Sequence, residues 1–492
     1  MPKRILMAGL AAGLLLTAGA IGSAQAGRAF TTDFTAQEFA ARRAKVYDAI
    51  GSDGLALMQG LPSVHSSAVF RQSNEFYYLT GVVAPQALVL LDGATRRTIL
   101  YLPKQDVRRA ATEGDLLSSD DPVKTANLTG VDEVKPPDQL LADLKARSAV
   151  KAIYVPYAPT EGSSESPDGA RRRTADAAAD PWDGRISREN HLRDLLKTRA
   201  PAIEQRDLSP ILNRMREIKS PAELAVIDRA TKIGGAAIME AMRSTVPGLT
   251  EQEIDAVAQF IFVRHGAQGE AYRDIVASGP VAMNAHHRAG PKVMVDGELV
   301  LMDYCPDVGY YRCDITRQWP VNGKFSPVQR ELYGFYLGVY EAVLYAIKPN
   351  ITAQDVLKAA LPKMEKILAE TKFSKPIYEN AAKQYVERYR RSANPDSAAA
   401  RTGRGGANLG HAVGMATHDF GGGSGVMRPG LVFTIEPEFR IPEEQIFIRL
   451  EDMIVITETG VQITSDFVPR SIAGVEKVIA ESGLLQQYRR IK

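Results

Sequence analysis

The chain has 492 residues, 45% of them hydrophobic and 24% charged, with a formal net charge of +2. This is ordinary globular composition with material for two or three cores, which excludes a disordered chain. Near-neutral charge offers no field for DNA, RNA or an anionic membrane, and two cysteines, Cys305 and Cys313, provide no disulfide framework.

Residues 1–26 read as a secretory signal. Lys3 and Arg4 precede an apolar run from Ile5 through Ile21, and "AQA" at Ala24 to Ala26 places cleavage before Gly27. Removal takes two of the 60 basic residues and leaves 58 against 58 acidic ones. The run is short and lacks a basic stop-transfer flank, so the mature chain is expected to be secreted, in the periplasm, without stable membrane association.

Residues 27–207 alternate strand-like runs, "GLALMQG", "ALVLLD", "TILYLP" and "AIYVPYA", with helical stretches such as Ala36 to Ile50. That pattern predicts an α/β domain with mixed strands. The acidic, Ala-rich segment from Thr160 to Asp183 reads as a surface loop, and the short "RRR" within it, at Arg171 to Arg173, as solvated.

A second domain, 208–492, opens with "SPILNRMREIKSPAEL", where Ser220, Pro221 and Glu223 form an N-cap, first-turn proline and capping box. Thr250 with Glu253, and Ser326 with Pro327 and Gln329, repeat the signal. Long helices over a sheet make this half α+β.

Its acids are the most informative feature. Asp303, Asp314, Glu436 and Glu451 sit in or beside the apolar runs "LVLMDYC", "YYRCDITR", "LVFTIEPE" and "FIRLEDMIVIT". A lone carboxylate taken out of water normally takes up a proton, so four in strand-like sequence imply cations between them. Asp303 and Asp314 flank the turn formers Pro306, Asp307 and Gly309; a hairpin turning at Val308 and Gly309 sets the two aspartates opposite each other. Glu436 and Glu451 flank a second hairpin through Pro442 to Glu444 in the same manner, so they too are expected to face each other. In the first register Cys305 and Cys313 point to opposite faces, which disfavours a bond between them. Carboxylates with one imidazole, His411, suit two divalent ions, manganese first, with cobalt, iron or zinc as alternatives. Ahead of His411, Arg388 to Gly406 reads as a mobile loop, and the Gly421 to Gly425 run as cleft lining.

The stretches "MDYCPDVGYYRCDITRQWPVNGKFSPVQRELY", "LGHAVGMATHDFGG", "FTIEPE" and "IRLEDMIVIT", in order between Arg214 and Val468, resemble the aminopeptidase P and prolidase branch of the pita-bread-fold metallopeptidases. "VFRQSNEFYYLTGVVAPQALVLL" at Val69 to Leu91 and "TGVDEV" at Thr129 to Val134 look like that family's amino-terminal domain. The resemblance implies that Asp303 chelates one metal, that Asp314 and Glu451 bridge both, and that His411 and Glu436 complete the second site. It also implies Glu436 as proton shuttle, His286 and His418 at the substrate carbonyl, and Arg449 orienting the carboxylates. Activity on the amino-terminal residue of peptides, with proline second, follows from it. A prolidase-like dipeptidase and a non-catalytic peptide- or protein-binding module remain alternatives, and the chain is allowed to assemble as a dimer or tetramer. Ala407 stands where the family has a histidine, which predicts a weaker preference for proline. His287 is read as packing or surface, and His65, His191 and His265 match no motif.

Overall fold

Short aliphatic runs punctuated by turns build a six-stranded sheet in the first half of the chain. The computed structural model describes residues 30–64, 69–114, 116–147, 149–162, 166–394, 408–423 and 425–488. The signal, His65, Ala407 and residues 395–406 lie outside these. Strands β1 (Gly54–Gln59), β2 (Leu88–Asp92), β3 (Arg97–Tyr101), β4 (Glu133–Lys135), β5 (Ala152–Val155) and β6 (Glu204–Asp207) lie in the order β4-β3-β2-β1-β5-β6. Pairing is antiparallel between β1, β2 and β3 and parallel at β1–β5, β5–β6 and β3–β4. Leu55, Leu57, Leu90, Ile99, Tyr101 and Ile153 form the core. This is the mixed α/β sheet expected.

The chain divides into two compact units, one ending at Leu212 and the other resuming at Asn213, where the sequence suggested 207 and 208. Residues Glu161–Arg173 belong to the second unit. Within two expected loops, part of the described chain is helical. Pro167–Ala179 runs through the "RRR" segment, since Ala and Arg are strong helix formers and Pro167 occupies a first turn, where its missing N–H costs nothing. Arg388 to Ala393 forms the end of the helix Pro376–Ala393. Here buried Tyr378, Ala382, Tyr385 and Val386 supply an i, i+4, i+7, i+8 stripe that the polar residues obscured.

In the second unit the capping boxes at Ser220, Thr250 and Ser326 start the helices Pro221–Ser244, Glu251–Arg264 and Pro327–Leu344. Beneath them lie β7 (Gly269–Glu270), β8 (Ile275–Ser278), β9 (Leu299–Asp303), β10 (Pro306–Val308), β11 (Tyr311–Arg312) and β12 (Thr316–Pro320). The second hairpin region adds β13 (Val432–Ile435), β14 (Glu438–Ile441), β15 (Ile446–Arg449), β16 (Asp452–Ile456) and β17 (Val461–Ile463). Both regions use an outer pair and an inner pair, β9–β12 with β10–β11 and β13–β16 with β14–β15.

The first hairpin corrects the sequence reading. Val308 pairs with Tyr311 across a two-residue turn of Gly309 and Tyr310, both with positive φ, 56° and 72°. That is the combination of a type I′ turn, whose twist matches the strands. The turn lies one residue later than expected, so Asp303 pairs with Thr316, not Asp314. Cys305 and Cys313 are disulfide-bonded, with Cα atoms 5.7 Å apart. Both lie in the break between the inner and outer pairs, where strand alternation no longer fixes their faces. A Cβ at Gly234 would sit 2.8 and 3.0 Å from the two sulfurs, so the helix Pro221–Ser244 rests on the bridge through a glycine. Unreduced, denatured protein is expected to show no reactive thiol, and reduction to release both; two free thiols before reduction would refute the bridge. Replacing both cysteines by serine is expected to cost about 2 to 3 kcal/mol on the chain-entropy scale, measured by denaturant unfolding.

Candidate metal centre

Each of the four acids stands where its hairpin ladder breaks. Asp303 ends β9, and Asp314 lies between β11 and β12; Glu436 separates β13 from β14, and Glu451 separates β15 from β16. Register continues across the second break, from Ile435 with Asp452 to Glu438 with Arg449, so Glu436 and Glu451 face each other as expected. The two hairpins are joined directly. Glu451 N–H donates to Thr316 O at 3.1 Å, and Gln318 Nε2 to Phe447 O at 2.9 Å.

These breaks let the side chains converge. Ligand atoms of Asp314, His411 and Glu451 all lie within 4.8 Å of one another. His411 Nε2 is 3.0 Å from Glu436 Oε1, 3.5 Å from Asp314 Oδ2 and 4.0 Å from Glu451 Oε1. Arg449 forms an ion pair with Asp303 and holds its Nη1 3.6 Å from Glu436 Oε2. Asp303, Asp314, Arg449 and Glu451 are all buried. His411 and His418 stack with ring centroids 3.8 Å apart. His286 is exposed in the loop after Met283, close enough for its charge to act on His418. His287 instead binds the buried Glu251 at 2.9 Å.

Three further residues hold the acids, and sequence reasoning missed them. Tyr272 O–H lies 2.7 Å from Asp303 Oδ1 and 2.6 Å from Asp314 Oδ1. Thr316 donates to Glu451 Oε2 at 2.7 Å. Tyr336 accepts from Leu450 N–H at 2.8 Å and donates to Pro437 O at 2.7 Å, fastening the residues beside both glutamates. Of these, Thr316 alone carried a sequence signal, two residues beyond Asp314 and therefore on the same face of a strand.

The electrostatics show what the donors lack. Burial, then the Asp303 charge, raise Asp314 well above the usual carboxylate range; burial, then Asp314 and Glu436, do the same to Glu451. Burial would lower His411, but its hydrogen bond to Glu436 and the Asp314 charge outweigh this and raise it to about 9. Burial likewise opposes the lowering of Glu436, which His411 and Arg449 nevertheless hold below its ordinary value. Desolvation and the His411 charge push His418 down to about 4. Glu451 Oε1 is buried without a hydrogen-bond partner among the described residues. An orphaned carboxylate oxygen among repelling acids and an imidazole is a donor set that fits divalent cations.

The comparisons with known proteins agree. Residues 225–458 match Metallopeptidase family M24, and residues 39–154 match Aminopeptidase P, N-terminal domain. The Xaa-Pro aminopeptidase of Escherichia coli strain K12 is 29% identical over 457 residues, covering 87% of this chain and 94% of the relative. The low-pH form of E. coli aminopeptidase P superposes with a TM-score of 0.71 at 26% identity, over 91% of this chain and 98% of that one. The chain belongs to the aminopeptidase P branch of metallopeptidase family M24. The solved structure of Pseudomonas aeruginosa aminopeptidase PepP gives a TM-score of 0.70 at 25% identity, with the same coverages. As a member of this branch the chain has the pita-bread fold behind an amino-terminal domain, and it is a metal-dependent aminopeptidase acting on peptides.

Proposed function

We propose that the chain is a secreted, dinuclear Xaa-Pro aminopeptidase whose metals are held by Asp303, Asp314, His411, Glu436 and Glu451. The convergence of Asp314, His411 and Glu451 around an unsatisfied Glu451 oxygen carries this reading. Manganese is the preferred ion for so carboxylate-rich a set, with cobalt, iron and zinc as alternatives. When bound, the cations polarise the scissile carbonyl and acidify the attacking water.

The remaining steps belong to the chain. Glu436 is the most exposed of the set, with 29% of its side chain open, and its lowered pKa keeps it ionised, and so free to accept a proton, at neutral pH. It takes the proton of the attacking water and passes it to the leaving nitrogen. His418 and His286 donate to the carbonyl oxygen as charge develops there. Arg449, between Asp303 and Glu436, fixes both carboxylates.

Matched di-, tri- and tetrapeptides with proline or alanine second test the reading on metal-loaded protein. Release of the first residue from tripeptides and longer substrates is expected, with proline preferred. Cleavage confined to dipeptides would establish the prolidase-like alternative, and absence of any cleavage the binding module. Export is tested by the amino terminus of protein from its native compartment, expected at Gly27; an uncleaved Met1 would refute it. The oligomer, dimer or tetramer, is to be read from the mass in solution.

A further inference from the structure

Against the loop that carries His411 and His418 packs a network of buried charges that the mechanism does not use. Arg216 Nη1 and Nη2 each lie 3.3 Å from one oxygen of Glu161, and Nη2 also donates to Asp419 Oδ1 at 2.8 Å. Lys219 Nζ is 3.9 Å from Asp419 Oδ2. All four side chains are 1% exposed. Pairing of these cations with these anions is what allows the four side chains to be buried.

The network ends on the residue after His418. Asp419 N–H donates to Ala412 O at 2.9 Å, and Asp419 Oδ2 accepts from Met415 N–H at 3.0 Å, so Asp419 closes the loop that begins at His411. A Cβ at Gly414 would fall 2.0 Å from Asp419 Oδ2 and 2.9 Å from Lys219 Cε, so the loop rests directly on the charges. Arg216 also places its guanidinium 4.9 Å from the centre of the Phe420 ring. Its fork therefore grips both residues that follow His418. A point-charge ammonium has no such fork.

We infer that Arg216 is a positioning residue, which through Asp419 sets His418 over His411 and so controls the rate without touching substrate or metal. The inference rests on the assignment of His418 to the substrate carbonyl. A misplacement of about 1 Å in such a donor costs up to roughly a hundredfold in rate.

The experiment is a two-background comparison on metal-loaded protein. Arg216→Lys keeps the buried charge and loses the fork; kcat is expected to fall roughly 10- to 100-fold with KM within about threefold and metal content retained. In His418→Ala protein the same substitution is expected to change kcat by less than about twofold, because the group it positions is gone. An equal fractional loss in both backgrounds, or an unchanged kcat for Arg216→Lys, overturns the inference. Should Arg216→Lys not fold, Asp419→Asn is read in the same two backgrounds by the same criteria. If His418→Ala alone leaves kcat unchanged, the His418 assignment has failed, visibly before Arg216 is altered, and the inference falls with it.

Discussion

Glu436→Gln is expected to lower turnover roughly a hundredfold or more, while metal content falls far less. The amide keeps the side-chain length and one oxygen that can coordinate. It cannot carry the proton. In the present geometry Glu436 Oε1 contacts His411 Nε2 at 3.0 Å while Arg449 approaches the other oxygen at 3.6 Å, so both oxygens have fixed neighbours and the substitution should not collapse the site. Turnover and metal per chain, measured on the same preparation, decide the matter. Near wild-type turnover would move the proton shuttle elsewhere, and equal loss of metal and activity would reduce Glu436 to a ligand.

Exhaustive chelation is expected to abolish hydrolysis, and its effect on stability should depend on pH with a defined sign. Without cations, Asp314 and Glu451 have raised folded-state pKa values. Their contribution is therefore fully present below the unfolded carboxylate value, about 4, and is lost as pH rises through the folded values. His411 acts in the same direction, its share being complete below about 6.5 and lost as pH passes about 9. Glu436, with a lowered value, contributes in the opposite sense and is lost on acidification. Cation binding requires deprotonated ligands, so the loaded protein gains affinity as pH rises. The difference in melting temperature between loaded and chelated protein should accordingly widen from about pH 5 to pH 8. A constant difference across that range, or activity surviving chelation in folded protein, would sink the metal assignment.

Local signals in the sequence were legible because short-range chemistry causes them. Ser220, Thr250 and Ser326 each start a helix with a capping box, since the cap and its partner are three residues apart in any context. The second hairpin kept its expected register, with Glu436 facing Glu451, because prolines and the alternating "IFIRLED" confine it. The first did not. A type I′ turn needs positive φ at Tyr310, and tyrosine gives no signal for that conformation. Tyr310 is 2% exposed, so its burial in the core offsets a strain that the turn residues alone would not predict. The helix Pro376–Ala393 was hidden because its apolar stripe lies among charged residues that only a neighbouring core makes sense of.

What the sequence determined by itself is the set of chemical groups and their order. Four acids in apolar runs with a histidine between them imply cations because an unpaired buried carboxylate is too costly to keep, and that argument needs no coordinates. What only the tertiary structure decided is which groups meet. Tyr272 reaches Asp303 and Asp314 across 31 and 42 residues, and Arg216 reaches Asp419 across 203. No periodicity encodes such contacts, since they arise when the helices pack on the hairpins and each buried polar group must find a partner within about 3 Å. The disulfide belongs to the same class. Two cysteines eight residues apart fall on one side only because the ladder breaks between its inner and outer strand pairs, and the same kind of break brings the four acids together.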